Sequence, residues 1–362
     1  MMAWAPPQPR TGHPYFMYEA ISAQPEAVRA ALRDNGGAVR TAAAHLKRTE
    51  RVLLSGIGTS WHACLVGELL LAGIGGLGHR VRAFHSFEFQ NYWPAPDPKT
   101  GVIVVSHRGT KRFSLEALRK AKAGGGLGVA ITGVGSGEGL RIADVTLRTV
   151  EQENSAAHTV SYTTALALLA ALACEIGGDR ETRRALEAIP DRMAALLGRG
   201  GWDGLAARYA DRRCYYFVGG GPNTATAYEA ALKMNEANHT MTVGMNCEQV
   251  LHGPWVAMES RDVVFLIAPP GPSYERCVAV ARVAREIGAP VVGLVQEGDS
   301  TLAPLCAEVL PLPALPELLT PLPAVLPLQL LTYHLALLRG ANPDIMRANE
   351  PPHGRARAGL SL

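Results

Sequence analysis

The chain has 362 residues, 48% hydrophobic and 19% charged, with a formal net charge of +3. This balance supports a large apolar core and excludes disorder, and a charge so near neutral does not advertise a nucleic-acid surface. The length fits two domains, or one domain with an internal duplication.

The opening stretch through Phe16 is a Pro-rich lead-in, read as mobile and lacking the basic-then-apolar pattern of a signal segment. Met17–Leu32 reads as a helix, and Gly36-Gly37 separates it from a second at Ala38–Leu46. Arg51–Ser55 is a buried-strand signature that runs into Gly56-Ile57-Gly58-Thr59-Ser60 and a helix at Trp61–Leu71. Strand, glycine turn and helix form the geometry in which backbone amides hold an anion, although a tight turn without a ligand has the same sequence. Gly101–Val105 is the next strand. It ends in Ser106-His107-Arg108-Gly109-Thr110-Lys111 and leads to a helix at Ser114–Ala123. Gly128–Thr132 and Ala143–Leu147 are further strands, and a helix opening near Ser155–Thr164 carries hydroxyls before turning wholly apolar. Strands rich in β-branched residues alternating with helices indicate a parallel sheet covered on both faces, with ligands beyond the carboxyl ends of the strands.

The order then recurs about 160 residues later. Cys214–Val218, Gly219-Gly220-Gly221 and the helix through Tyr228 repeat the first strand, turn and helix, with Gly221 against Gly58. Val263–Ala268, helix Tyr274–Ile287, Pro290–Val295 and an apolar helix at Leu326–Leu338 repeat the rest. The expected organisation is a lead-in and helix over 1–34, a first α/β domain over 35–177, a linker helix over 178–200, a second α/β domain over 201–340 and a tail over 341–362. The apolar run 165–173 is too short to span a bilayer, and Pro311–Leu328, broken by prolines, reads as buried or domain-bridging coil. Six scattered cysteines without a zinc or CxxC spacing suit reduced thiols. The expectation is a soluble cytoplasmic protein with neither membrane nor nucleic-acid partner.

Chemistry concentrates between Tyr228 and Pro254. Glu229, Lys233 and Glu236 fall on one helix face, and Glu248 and His252 stand four apart beyond Gly244. Two carboxylates, an ammonium and an imidazole in so short a segment can move protons between substrate carbon and oxygen, although such pairs are also common on solvated surfaces. Glu153, ahead of the hydroxyl-rich helix, can reach a substrate amine or hydroxyl, or simply favour the helix N-terminus. His62, His85, His158 and His239 show no metal-ligand spacing, with His158 alone near the crevice, and His334 reads as a core histidine. The glycine turns lack the full dinucleotide fingerprint, so neither a cofactor nor a metal is expected.

Taken together, the motifs resemble the duplicated sugar isomerase (SIS) family. They are Phe16-Met17, Gln24-Pro25, Gly58-Thr59-Ser60, Ser106 with Gly109, Ala157, Tyr162-Thr163-Thr164, Glu229 through Lys233 to Glu236, Glu248 with His252-Gly253-Pro254, and Pro327 to His334. The resemblance covers Phe16 to Arg347. It is strongest to the isomerase half of glucosamine-6-phosphate synthase and extends to related SIS-fold glucosamine-6-phosphate deaminases. It implies two tandem doubly wound, flavodoxin-like domains of three-layer α/β/α form. It also implies that Thr59, Ser60 and Ser106 hold a sugar phosphate, with Gly58, Gly109, Ala157 and Glu248 as further substrate-binding positions. Glu236 would shuttle a proton between C1 and C2 through a cis-enediol, and His252, supplied across a homodimer interface, would assist ring opening. Lys233 and Glu229 would support them.

Three departures bear on the function. No glutaminase domain stands ahead of the module, so glutamine hydrolysis is not expected. The phosphate loop, rich in Ser, Gln and Thr in the family, carries His107, Arg108 and Lys111 here; these either grip an anion or face solvent. The tail position of the family's Schiff-base lysine reads Pro351. The expected function is aldose–ketose proton transfer on glucosamine 6-phosphate or fructose 6-phosphate as isomerase, deaminase or ammonia-dependent synthase. The alternatives are a non-catalytic sugar-phosphate regulator and a deglycase of phosphorylated amino-acid–sugar adducts.

Overall fold

The structure, a computed structural model, describes residues 7–360 apart from the side chain of Glu138; the first six residues of the lead-in lie outside the described residues. The chain divides into two units. One is built on Ser22–Pro190 and takes in the tail from Arg347, and the other is built on Arg10–Ile21 with Asp191–Met346.

In chain order the first half runs α1 (Phe16–Asp34), α2 (Gly36–Leu46), β1 (Arg51–Gly56), α3 (Thr59–Gly73), β2 (Val81–His85), α4 (Ser86–Tyr92) and β3 (Thr100–Val105). It continues through α5 (Arg112–Ala123), β4 (Leu127–Thr132), β5 (Val145–Arg148), α6 (Val160–Gly177), α7 (Arg180–Glu187) and α8 (Ile189–Leu197). All strand pairs are parallel, in the order β2-β1-β3-β4-β5. Alternate residues face opposite layers. Leu53, Val102, Val104 and Ala130 pack on Phe89 of α4 and Ala117, Leu118 and Ala121 of α5. Leu54 faces the other way, where a Cβ on Gly67 of α3 would stand 2.7 Å from Leu54 Cδ2 and 3.0 Å from Leu169 Cδ1 of α6. Strand order reverses between β1 and β3, and a crevice opens at the carboxyl ends of the strands at such a point.

The second half runs α9 (Trp202–Arg208), β6 (Tyr215–Gly219), α10 (Asn223–Ala237), β7 (Val243–Asn246), α11 (Cys247–Leu251), β8 (Val263–Ala268) and α12 (Tyr274–Ile287). Then come β9 (Val291–Gln296), β10 (Glu308–Leu312), α13 (Pro321–Leu338) and α14 (Pro351–Ala358), the last belonging to the first unit. The second sheet, β10-β9-β8-β6-β7, is again wholly parallel, and read from β7 it repeats the first strand order. The duplication read from the sequence is thus present in topology, and Gly58 and Gly221 take φ of 55° and 52° at matching turns. In the second unit Asp344 accepts from the amides of Phe16 (2.9 Å) and Met17 (2.8 Å), capping the start of α1.

Several elements differ from the sequence reading. Of the segment Pro311–Leu328, only 313–316 is coil. Pro311 lies in β10, an edge strand where a missing N–H is tolerated, and α13 begins at Pro321 instead of Leu326. Pro321 and Pro323 sit in the first turn, where amides have no helical acceptor, and Pro327 lies inside the helix. The apolar run 165–173 belongs to an 18-residue helix, α6, that starts at Val160 because Glu153 caps it there. α6 and the stretch Glu317–Leu338 are long and apolar enough to cross a membrane by length and composition, with 89% and 83% of their windows buried inside the fold. The stretch 178–200 holds two helices, α7 and α8.

Candidate functional site

At the carboxyl edge of the first sheet, a cleft of about 300 Å³, part of it open to solvent, is lined by Thr59 and Ser60 of α3, His107 beyond β3, Thr149 beyond β5, and His158 and Ser161 at the start of α6. Gly58 precedes α3 with φ 55° and ψ −127°, a backbone region that residues with a Cβ rarely adopt. The turn is closed by Ser60 N donating to Ile57 O (3.1 Å) and Trp61 N to Gly58 O (2.8 Å). Ser106 is buried between Val105 and His107, which both line the cleft, and Thr132 Oγ1 donates to its carbonyl at 2.7 Å. Ala157 is fully buried in the loop before α6.

The cleft wall is a network of fixed polar groups. Glu153 N donates to His107 Nε2 (3.2 Å), which leaves His107 Nδ1 to donate to Thr149 Oγ1 (3.3 Å). Burial holds the His107 pKa below its ordinary value, in keeping with a neutral ring. The His158 ring meets it edge-on at 5.1 Å. Arg108 Nε donates to His158 Nε2 (3.3 Å) and its NH2 reaches Glu153 O (3.5 Å). The Glu153 carboxylate accepts from the amides of Thr159 (2.9 Å) and Ser161 (3.0 Å), which is the helix-capping geometry. Burial disfavours its charge, but His158 and His107 in their protonated forms, together with these donors, outweigh burial and lower its pKa. Arg108 and Lys111 are both partly buried.

In the second unit the stretch from Tyr228 separates into two clusters, because Val243–Asn246 inserts as a strand between them. On α10, Lys233 lies 3.5 Å from Glu229 Oε1 and donates a hydrogen bond to Glu236 Oε2. Side-chain exposure rises along this triad, from 0% at Glu229 and 1% at Lys233 to 20% at Glu236, its most exposed member. Beyond β7, Asn246 accepts from Glu248 N and starts α11, and His252 closes it. His252 Nε2 lies 2.9 Å from Glu248 Oε1, and Arg276 also bonds Glu248. The His252 side chain is 70% exposed. Among the described residues, no group of three or more His, Cys, Asp or Glu is arranged to hold a metal.

The SIS domain family matches residues 45–174 and 209–339, one match over each sheet. The chain belongs to the SIS domain family. A glutamine–fructose-6-phosphate aminotransferase (isomerizing) from Thermococcus kodakarensis is 31% identical over 346 residues, which cover 92% of this chain and 57% of the relative. The chain therefore spans little more than half the length of such relatives. Among solved structures, the C-terminal domain of glucosamine-fructose-6-phosphate aminotransferase from Francisella tularensis superimposes with a TM-score of 0.82 at 21% identity, covering 92% of this chain and 98% of its own. A glucosamine-6-phosphate deaminase from Thermotoga maritima gives a TM-score of 0.76 at 19% identity, covering 91% and 97%. At these identities the structural likeness establishes the fold.

Sequence reasoning did not single out Thr149, Ser161 or Arg276 of this SIS protein. Thr149 and Ser161 were accessible by rule, because one directly follows a strand at its carboxyl end and the other opens a helix beside the crevice. Arg276 carried no signal; its tie to Glu248 spans 28 residues on a separate helix.

Proposed function

We propose that this SIS protein is a phosphosugar isomerase of the amino-sugar type, acting on glucosamine 6-phosphate or fructose 6-phosphate by proton transfer between C1 and C2. The observation that carries this reading is Glu236, a partly exposed carboxylate oriented by a buried lysine. Abstracting a proton next to a carbonyl requires such a positioned base, and the ordered triad lowers the cost of presenting it. Thr59, Ser60 and Ser106 are the phosphate-holding groups, with Gly58 and Gly109 shaping their turns and Ala157 leaving room. Lys233 orients Glu236, and Glu229 holds Lys233. The names of the relatives, aminotransferase and deaminase, support an amino-sugar phosphate as substrate.

His252 assists opening of the sugar ring, and it does so from a second copy of the chain. Its exposure supports this role, as does its neighbourhood, where Trp255 is 40% and Val256 71% exposed, apolar surface suited to cover by another subunit. Six free thiols fit a reducing cytoplasm.

The test is to incubate purified protein with each sugar phosphate in deuterated water, following label uptake at C2, aldose–ketose exchange and ammonia. Turnover well above a Glu236→Gln control is expected, with ligand binding retained in that variant. Binding without turnover in the wild type would overturn the enzymatic reading in favour of a sugar-phosphate regulator.

A further inference from the structure

The loop after β3 stands at the mouth of the first unit's cleft and is pinned there. Gly109 has φ 63°, and a Cβ on it would meet Ser136 Cβ at 3.1 Å and Gly137 N at 3.2 Å. Gly109 N donates to Ser106 O (3.2 Å), and Gly137 N donates to Arg108 O (3.0 Å), so the backbone carrying Arg108 is closed on the neighbouring turn. Arg108 lies against the cleft wall, its guanidinium reaching His158 Nε2 at 3.3 Å and Glu153 O at 3.5 Å. Lys111 follows at the N-cap of α5, partly buried.

The tail helix α14 belongs to the same unit and carries Arg357, whose charge acts on both Arg108 and Lys111. Burial lowers the pKa of Arg108 and of Lys111, and the charge of Arg357 lowers both further; at Arg108 the charge of Glu153 opposes this. The Glu153 carboxylate is itself directed to the amides of Thr159 and Ser161. Arg108 on the wall of a polar cleft, Lys111 three residues on and the charge of Arg357 acting on both raise the local potential, and an anion among them relieves the repulsion while accepting charge-assisted hydrogen bonds.

We propose that Arg108, Lys111 and Arg357 form a receptor for a second anionic group of the substrate, beside the groups that hold its 6-phosphate. The preferred substrate is then a phosphosugar that also carries a carboxylate or another phosphate, and glucosamine 6-phosphate is the minimal ligand. This inference rests on the phosphosugar reading above.

Calorimetric titrations at fixed ionic strength compare glucosamine 6-phosphate with 6-phosphogluconate, which adds a carboxylate, and with fructose 1,6-bisphosphate, which adds a phosphate. At least one of the two doubly acidic ligands should bind about tenfold more tightly than glucosamine 6-phosphate, with the advantage shrinking as salt rises. Arg357→Ala and Lys111→Ala should each reduce that ratio severalfold, and Arg357→Lys, which keeps the charge on an exposed helix, should preserve most of it. Equal affinities in the wild type, or a ratio unmoved by both alanine substitutions, overturn this inference alone. A wild-type chain that binds none of the three overturns the phosphosugar reading, and this inference with it.

Discussion

Lys233 lies between two carboxylates with 1% of its side chain exposed, and its neighbour Glu229 is fully buried. Charges so far from water are tolerated only because they compensate one another. Lys233→Met removes the compensation and leaves Glu229 buried without its cation, so it should destabilise the protein by about 3–5 kcal/mol in urea unfolding. The double variant Lys233→Met/Glu229→Gln should recover part of that loss, and a double variant no better than the single would show that the triad is not electrostatically coupled. Glu153 supplies a second prediction at this scale. Its folded pKa is lowered from the ordinary value of 4.5, so its contribution is present above that value and lost as pH falls through the lowered one. His107, lowered from 6.5 by burial, acts in the same direction: below 6.5 the unfolded chain takes up a proton that the folded one resists. Stability should therefore fall in two stages on acidification, and Glu153→Gln should flatten the lower stage in melting curves recorded from pH 7 to pH 3.

At the level of elements, the turn into α3 depends on Gly58. With φ 55° and ψ −127°, Gly58→Ala strains the backbone by about 1–3 kcal/mol. It should also shift Thr59 and Ser60, so that glucosamine 6-phosphate binding weakens at least in step with the lowered melting temperature; unchanged binding would remove this turn from the site. The strand–turn–helix pattern at Gly58 and Gly221 was legible in the sequence because buried parallel strands are continuous apolar runs, and Val263–Ala268 and Tyr274–Ile287 lie as read. The strands that escaped, β2, β7 and β10, lie beside only one neighbour and are short and half-exposed, so their sequences VRAFH, VGMN and EVLPL show no such run. Helical spacing likewise placed Glu229, Lys233 and Glu236 together, whereas the tie between Arg276 and Glu248 depends on how α12 packs beside α11, which local pattern does not encode. The same limit hid the effect of the Arg357 charge on Arg108 and Lys111.

For the whole molecule, the proposed sharing of His252 between copies makes a quantitative prediction. Within one chain Glu236 is engaged by Lys233 on α10, while His252 stands 70% exposed beyond α11 with Glu248. Exposed Trp255 and Val256 beside it favour association through this face. If a two-fold dimer forms there, each site takes Glu236 from one chain and His252 from the other. Glu236→Gln and His252→Ala chains are then each inactive alone. When the two are unfolded, mixed in equal amounts and refolded, about half the dimers are mixed, and in each of these one site of two keeps both groups. Activity should therefore return to about one quarter of wild type, saturating at equal mixing and disappearing on dilution below the dimer dissociation constant. A mixture as inactive as its parents would mean that each chain relies on its own imidazole or on none, and light scattering that shows a monomer would exclude a shared site independently of activity.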